Sequence, residues 1–362
     1  MSTASFLLTL LALEIGLRLY GYNPFQGWLR GGESIARASA VPGLKYEHTP
    51  GAVARSSGID IKINSQGFRG PEPSSIPPAN RVVILGDSIA FGLYLNWEDT
   101  FASKLQQRLN SDNRDTEVLD LGVSGYDVLQ EVSLLEFRGL KYHPNLVVVA
   151  YCLNDISIAS WSLDDIERMR SRQGSLLYKS RLAQFVAANV DTIRLKRWLS
   201  HVNEPEVFHR EYEHQIDPIS ADEVELLELM KSAPRWPSTT WYGDRDRIGR
   251  LRFAFRRLAA LSKENGFSVM IMTVPLLISE NGTYTHRTAH LIVEMEARRA
   301  GFDTVDLTDA FIRAGMGNVK SKWGDIIHPN ALGHAMIAEV LSEYVKSHLK
   351  ESPAPAFKQT RK

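Results

Sequence analysis

The stretch "VVILGDSIAFG", residues 82–92, decides how the rest of the chain reads. An apolar, β-branched run stops at Gly86-Asp87-Ser88 and resumes with helical spacing. Runs of this length and composition suit strands buried on both faces, as in parallel sheets. Gly, Asp and Ser turn a chain readily. The carboxyl end of a central strand is also where open α/β sheets gather their functional groups. Ser88 is therefore a candidate nucleophile, and the question is whether partners follow at later strand ends.

Outward from this corner the pattern alternates. "RVVIL" (81–85), "EVLDL" (117–121), "LVVVA" (146–150), "FSVMIMTV" (267–274) and "DTVDL" (303–307) read as strands. Between and after them run helical stretches. One carries Phe101, Leu105 and Leu109 on a single face, another covers 127–140, and the last is "ALGHAMIAEVLSEYVKSHL". Strands alternating with helices predict an α/β fold, a parallel five-stranded sheet with helices on both faces. Residues 156–245 break the rhythm and are expected to form a helical insertion or cap. Residues 23–80, rich in Gly, Pro and Ser, read as a lead-in packing on the edge of a domain over 81–349, with a short strand at Ile59–Ile63. The tail, 350–362, is expected to be disordered.

The later strand ends supply what an acyl-transfer site needs. "LGVSGYD" follows the second strand with Gly122 and Gly125, "YCLNDI" ends the third with Asn154 and Asp155, and "WGDIIHPN" brings Asp325 and His328. Ser88 would attack an ester carbonyl, His328 would take and return its proton, and Asp325 would hold the imidazole. The backbone N–H groups of Ser88 and Gly125 and the Asn154 side chain would bind the oxyanion, and Asp87 would brace the loops around Ser88 from behind.

Bulk composition narrows the alternatives. The 362 residues carry 42 basic and 42 acidic side chains, without the basic excess of a nucleic-acid binder. The single cysteine, Cys152, rules out an internal disulfide and reads as a small buried hydrophobe. Asp87, Asp155, Asp325 and His328 are possible metal ligands by chemistry, but no H-x-H or H-E-x-x-H spacing accompanies them, so no metal is expected. Nor does a dinucleotide or P-loop signature occur, so no cofactor is expected. Asp155 reads as a turn residue, His334 as non-catalytic, and the Arg-rich helix 248–257 as a solvated face. Trp236, Trp241 and Tyr242 either stack on sugar rings or pack the insertion.

The set Gly86-Asp87-Ser88, Gly125, Asn154 and Asp325-x-x-His328 resembles the SGNH or GDSL-type hydrolases, whose Ser, Gly, Asn and His occur here in the same chain order. The resemblance implies a flavodoxin-like three-layer α/β/α sandwich with strand order 2-1-3-4-5. It also implies ester hydrolysis through an acyl-enzyme. Where family members often have Gly-x-Asn-Asp, this chain has Cys152-Leu153-Asn154-Asp155. An apolar start, "NSQGFRGPE" and then the GDS block together look like an envelope-associated bacterial subgroup linked to surface polysaccharides. That likeness implies a short-chain, acetyl-type esterase on carbohydrate. The alternatives are an O-acetyltransferase using the same triad and a catalytically silent carbohydrate-binding module.

"ASFLLTLLALEIGLRLYGY" is apolar apart from Glu14 and Arg18. Residues 1–22 are expected to be a membrane anchor or uncleaved signal, with the catalytic domain in the periplasm or outside. An amphipathic packing helix in a cytoplasmic soluble protein is the other reading.

Overall fold

The computed structural model describes residues 3–19, 35–41, 44, 46–56, 58–112, 114–156, 180–183, 186, 217–232, 240–279, 283–322 and 324–349. The expected tail at 350–362, Trp236 and most of the expected insertion at 156–245 lie outside them.

The chain divides into two compact units. The smaller comprises 1–32, 55–58 and 161–215. In it helix α1, Thr3–Leu19, leaves Leu8, Leu11, Leu13, Ile15 and Leu19 exposed. Glu14 receives hydrogen bonds from Arg18 (2.6 Å), from the Ser180 hydroxyl (2.8 Å) and from the Arg181 and Leu182 amides (3.0 and 2.8 Å). These donors hold its carboxyl down at about 2, the Leu182 amide most of all. At 17 residues α1 is short for a bilayer. Among the described residues no helix is long and apolar enough to cross a membrane, so the anchor expected from the sequence gains no support here.

The larger unit comprises 33–54, 59–160 and 216–362. Its lead-in carries β1 (Ala36–Ala38) and β2 (Tyr46–His48), paired antiparallel, then the first two residues of β3 (Val53–Ser56), whose other two are counted with the smaller unit, and β4 (Ile59–Lys62). The central sheet holds β5 (Asn80–Gly86), β6 (Thr116–Asp120), β7 (Leu146–Cys152), β8 (Ser268–Val274) and β9 (Asp303–Asp306). Its order is β6-β5-β7-β8-β9, all parallel, which is the expected 2-1-3-4-5. β5 and β7 are buried at every position, as their unbroken apolar runs require.

The short helix α2 (Ser88–Phe91) follows β5 at once, then α3 (Phe101–Ser111) and α4 (Val128–Leu134). The single helix expected over 127–140 is instead α4, a π-helical turn at Leu135–Gly139 and a 3-10 turn at Leu140–Tyr142. Gly139 lies against Leu121, where a Cβ would sit 2.9 Å from that side chain, so the segment follows the sheet closely. Helices α5 (Val224–Ser232), α6 (Arg245–Asn265), α7 (Arg287–Arg299), α8 (Thr308–Ala314) and α9 (Ala331–Val345) complete the layers.

One expectation fails in part on α6. Arg256 stays on a solvated face, its side chain 66% exposed, but Arg250 and Arg252 are turned inward and tie the helix to its neighbours. Arg252 bridges Glu223 (3.0 Å) and the fully buried Glu296 (2.9 Å), Arg256 pairs with Asp217, and Arg250, 5% exposed, lies 3.6 Å from Asp127. Every third or fourth residue of a helix returns to one face, so a basic run can meet acids on several neighbours at once. Nothing in the run itself says whether those acids are present.

Candidate active site

β5 ends at Gly86, whose φ of +151° belongs to glycine. A Cβ there would lie 2.7 Å from the Ala90 side chain and 3.1 Å from the Ala150 carbonyl. The missing side chain thus lets the strand turn directly into α2 against β7. Asp87 is the N-cap, its Oδ1 accepting from the Ile89 amide at 2.8 Å. Ser88 is the first helical residue, 6% exposed, and Gly92 closes the helix in the left-handed conformation.

The loop Asp325–His328 meets this turn. The Ser88 hydroxyl lies 2.8 Å from His328 Nε2, and His328 Nδ1 lies 2.9 Å from Asp325 Oδ2. The other oxygen, Asp325 Oδ1, accepts from the Ile327 and His328 amides at 2.9 and 3.0 Å. The carboxylate therefore accepts a hydrogen bond from Nδ1–H, which keeps the proton on that nitrogen and leaves Nε2 as an acceptor toward Ser88. Asp325 is pushed upward by burial, but hydrogen bonds and charge from His328 outweigh this and hold it at about 2. It is ionised throughout the neutral range.

The expected oxyanion donors lie at the two neighbouring strand ends. Gly125, after β6, adopts φ +83°. The Tyr126 amide donates to the Val123 carbonyl at 3.1 Å, which closes a four-residue turn around it. Among the described residues neither the Ser88 nor the Gly125 amide donates to a protein acceptor. Asn154, after β7, donates one amide proton to Asp87 Oδ2 at 2.8 Å. Its second amide proton remains for another acceptor. Asp87 thus joins the serine turn to the asparagine loop.

Asp155 is buried, with Oδ2 accepting from the Cys152 amide at 2.7 Å, a turn role as read from the sequence. Burial, and then the Asp87 charge, push both Asp155 and Glu131 of α4 well above the carboxylate range. Cys152 is fully buried in the sheet. His334 is buried, its Nδ1 accepting from the Phe101 amide at 3.0 Å, and burial lowers it to about 3, so it cannot serve as the base. Among the described residues no group of His, Cys, Asp and Glu could hold a metal ion. Tyr242 is fully buried, its hydroxyl 2.7 Å from that of Tyr151, so it stacks on nothing external. Arg247 lies 4.9 Å over the Trp241 ring.

The sequence reading missed three groups. Arg69, 3% exposed, donates to the carbonyls of Phe91, Gly92 (2.7 Å) and Leu95, and so clamps the loop leaving α2. Tyr94, at φ +73°, sets its ring edge-on to His328 at 5.4 Å, with the Lys322 ammonium 3.6 Å from its centroid. Tyr46 of β2 donates to the Ser124 carbonyl at 2.7 Å. For Arg69 a signal existed, a long basic side chain between two glycines, Gly67-Phe68-Arg69-Gly70. For Tyr46 and Tyr94 there was none.

Three solved structures illustrate what the chain is similar to. An α/β hydrolase from the metagenome of Lake Arreo, Spain, has 15% identity and TM-score 0.42, covering 75% of this chain and 96% of that one. An acetylxylan esterase from Geobacillus stearothermophilus has 13% identity and TM-score 0.42, covering 78% and 100%. A lipase/acylhydrolase from Enterococcus faecalis has 14% identity and TM-score 0.41, covering 76% and 100%. No curated protein sequence matches the chain. The family comparison is decisive, because the GDSL-like lipase/acylhydrolase model matches residues 84–336, from within β5 to beyond the loop that carries Asp325 and His328. The chain belongs to the GDSL-like lipase/acylhydrolase family and is a serine ester hydrolase.

Proposed function

We propose that Ser88, His328 and Asp325 hydrolyse short acyl esters, acetyl above all, carried on a carbohydrate. The single observation behind the assignment of the triad is the unbroken relay Ser88 Oγ–His328 Nε2 and Nδ1–Asp325 Oδ2, at 2.8 and 2.9 Å. His328 takes the serine proton as Oγ bonds to the ester carbonyl carbon. The carbonyl oxygen gains the negative charge and is met by the Ser88 and Gly125 amides and by Asn154 Nδ2. The tetrahedral species collapses, its carbon–oxygen bond to the alcohol breaks, and His328 returns the proton to that oxygen. Water then repeats the sequence on the acyl-enzyme and releases the acid. Asp325 stays ionised and steadies the imidazolium.

The finer reading rests on the sequence pattern before the nucleophile and on the surroundings of His328. A half-buried tyrosine ring with an ammonium against it suits a hydroxylated ring better than a long alkyl chain. An O-acetyltransferase would use the same acyl-enzyme and differ only in the acceptor.

The test is a p-nitrophenyl ester series, acetate, butyrate and octanoate, with Ser88→Ala beside the wild type. Acetate preference with a dead Ser88→Ala supports the reading, and acetylated oligosaccharides follow as substrates. Octanoate preference overturns the short-chain part. A folded protein that turns over none of the three, yet releases one equivalent of p-nitrophenolate as Ser88 is acetylated, moves the transferase forward.

A further inference from the structure

The Val123–Tyr126 turn that carries Gly125 has two backbone forms open to it. In a four-residue turn the central peptide can lie either way up. Type I places the third residue near φ −90°, and type II places it near +80°, with the central carbonyl and N–H exchanged between faces. Gly125 occupies the third position with φ +83°, and the Tyr126 N–H to Val123 carbonyl bond closes the turn, so the turn is in the type II form. Its central peptide joins the Ser124 carbonyl to the Gly125 N–H. Because a trans peptide is planar, fixing the carbonyl on one side fixes the N–H on the other.

The Ser124 carbonyl is fixed by a residue far away in sequence. Tyr46 of β2, 2% exposed, donates its phenolic proton to that oxygen at 2.7 Å. Tyr46 is held in turn. Tyr126 donates its own hydroxyl to the Tyr46 carbonyl, and the two rings meet edge-on at 5.3 Å. Burial, with the charges of Asp127 and Asp87, raises the Tyr46 phenol, so it remains a donor at any working pH.

We propose that Tyr46 is a positioning residue for catalysis: by holding the Ser124 carbonyl it selects the type II form and aims the Gly125 N–H at the oxyanion. The lead-in segment thereby supplies part of the catalytic geometry. The proposal rests on the reading of Gly125 as an oxyanion donor.

The test is Tyr46→Phe in the full chain, which keeps the ring and removes only the donor. Expected is a fall in kcat of about tenfold, short of the about 10²–10³ lost when a donor is deleted, with KM for p-nitrophenyl acetate within twofold of wild type. The second variant adds Ser124→Pro to Tyr46→Phe. Pro followed by Gly is the sequence that favours type II turns, so this double variant is expected to regain most of the lost kcat. A packing role for Tyr46 would not be rescued by a backbone constraint in the turn, which restores none of the lost contacts.

Unchanged kcat in a folded Tyr46→Phe overturns the proposal, and so does a loss that proline fails to restore. Loss of the folded state in both variants also overturns it, since Tyr46 is then a core residue. If the wild type itself hydrolyses nothing and Ser88 is unreactive, the reading of the site has failed first. If the wild type is a Ser88-dependent esterase, only the positioning claim is at stake.

Discussion

Asp325 Oδ1 accepts from two backbone amides while Oδ2 faces the imidazole, so this carboxylate is held independently of the His328 ring. Asp325→Asn keeps an acceptor for those amides but can offer His328 the wrong face. The imidazole then turns its Nε2 proton toward Ser88 and cannot act as base. A loss in kcat of about 10³–10⁴ is expected by analogy with other Ser-His-Asp sites, with KM nearly unchanged. Steady-state kinetics on p-nitrophenyl acetate check this, and a loss under tenfold would remove Asp325 from the relay. Its carboxyl, held at about 2, also predicts that any loss of activity between pH 7 and 5 does not come from titration of Asp325. The acid limb of the kcat profile is therefore expected to persist in Asp325→Asn, and its disappearance in that variant would mean that Asp325 controls it.

Elements differ in how much of their role the sequence carries. The central strands β5, β7 and β8 were legible because burial on both faces demands continuous apolar runs, the edge strands β6 and β9 from shorter apolar patches in the same rhythm, and each expected strand lies within one or two residues of its observed span. Ser88, Gly125, Asn154, Asp325 and His328 were legible because each sits in a short motif at a strand end. Tyr46 was not, since it acts on a backbone carbonyl remote in sequence, which any residue could provide, and the glycines flanking Arg69 did not say which carbonyls it holds. The α6 arginines were misread for the same reason, as their acids lie on other elements. Arg252 is the sharpest case, because Glu296 has a side chain fully removed from solvent and relies on Arg252 and Arg299. Arg252→Met leaves that carboxylate with one partner. Breaking a buried pair in this way costs about 3 kcal/mol, and Arg299 is expected to keep the loss at or below that figure. Urea unfolding measures it, and a change under 0.5 kcal/mol, roughly the scale of an ordinary surface substitution, would mean that Glu296 is not dependent on the bridge. Catalysis should survive, because Arg252 touches no group of the triad.

Across the whole molecule the buried titratable groups pull stability in opposite directions as pH changes. Asp120 is raised by burial to about 7, so the stability it contributes is complete below about 3.8 and lost as pH rises through 7. Asp155 and Glu131, also raised, act with the same sign. His334 and His48 act the other way. Burial lowers them to about 3 and about 4, well below an unfolded value of 6.5. In the unfolded chain they accept protons that the folded chain refuses. Their contribution is therefore complete above pH 6.5 and is lost as pH falls toward the folded values. The net curve depends on all five groups, but a difference between two variants isolates one. His334→Gln keeps an acceptor for the Phe101 amide and removes the titration. Between pH 7 and pH 5 the wild type is expected to lose about 2 kcal/mol more than this variant, at about 1.4 kcal/mol per pH unit below 6.5. Urea unfolding at the two pH values measures the difference directly. Parallel losses in the two proteins would mean that His334 titrates alike in the folded and unfolded chain, and the ring would then be open to protonation beside the triad loop rather than sealed beneath it.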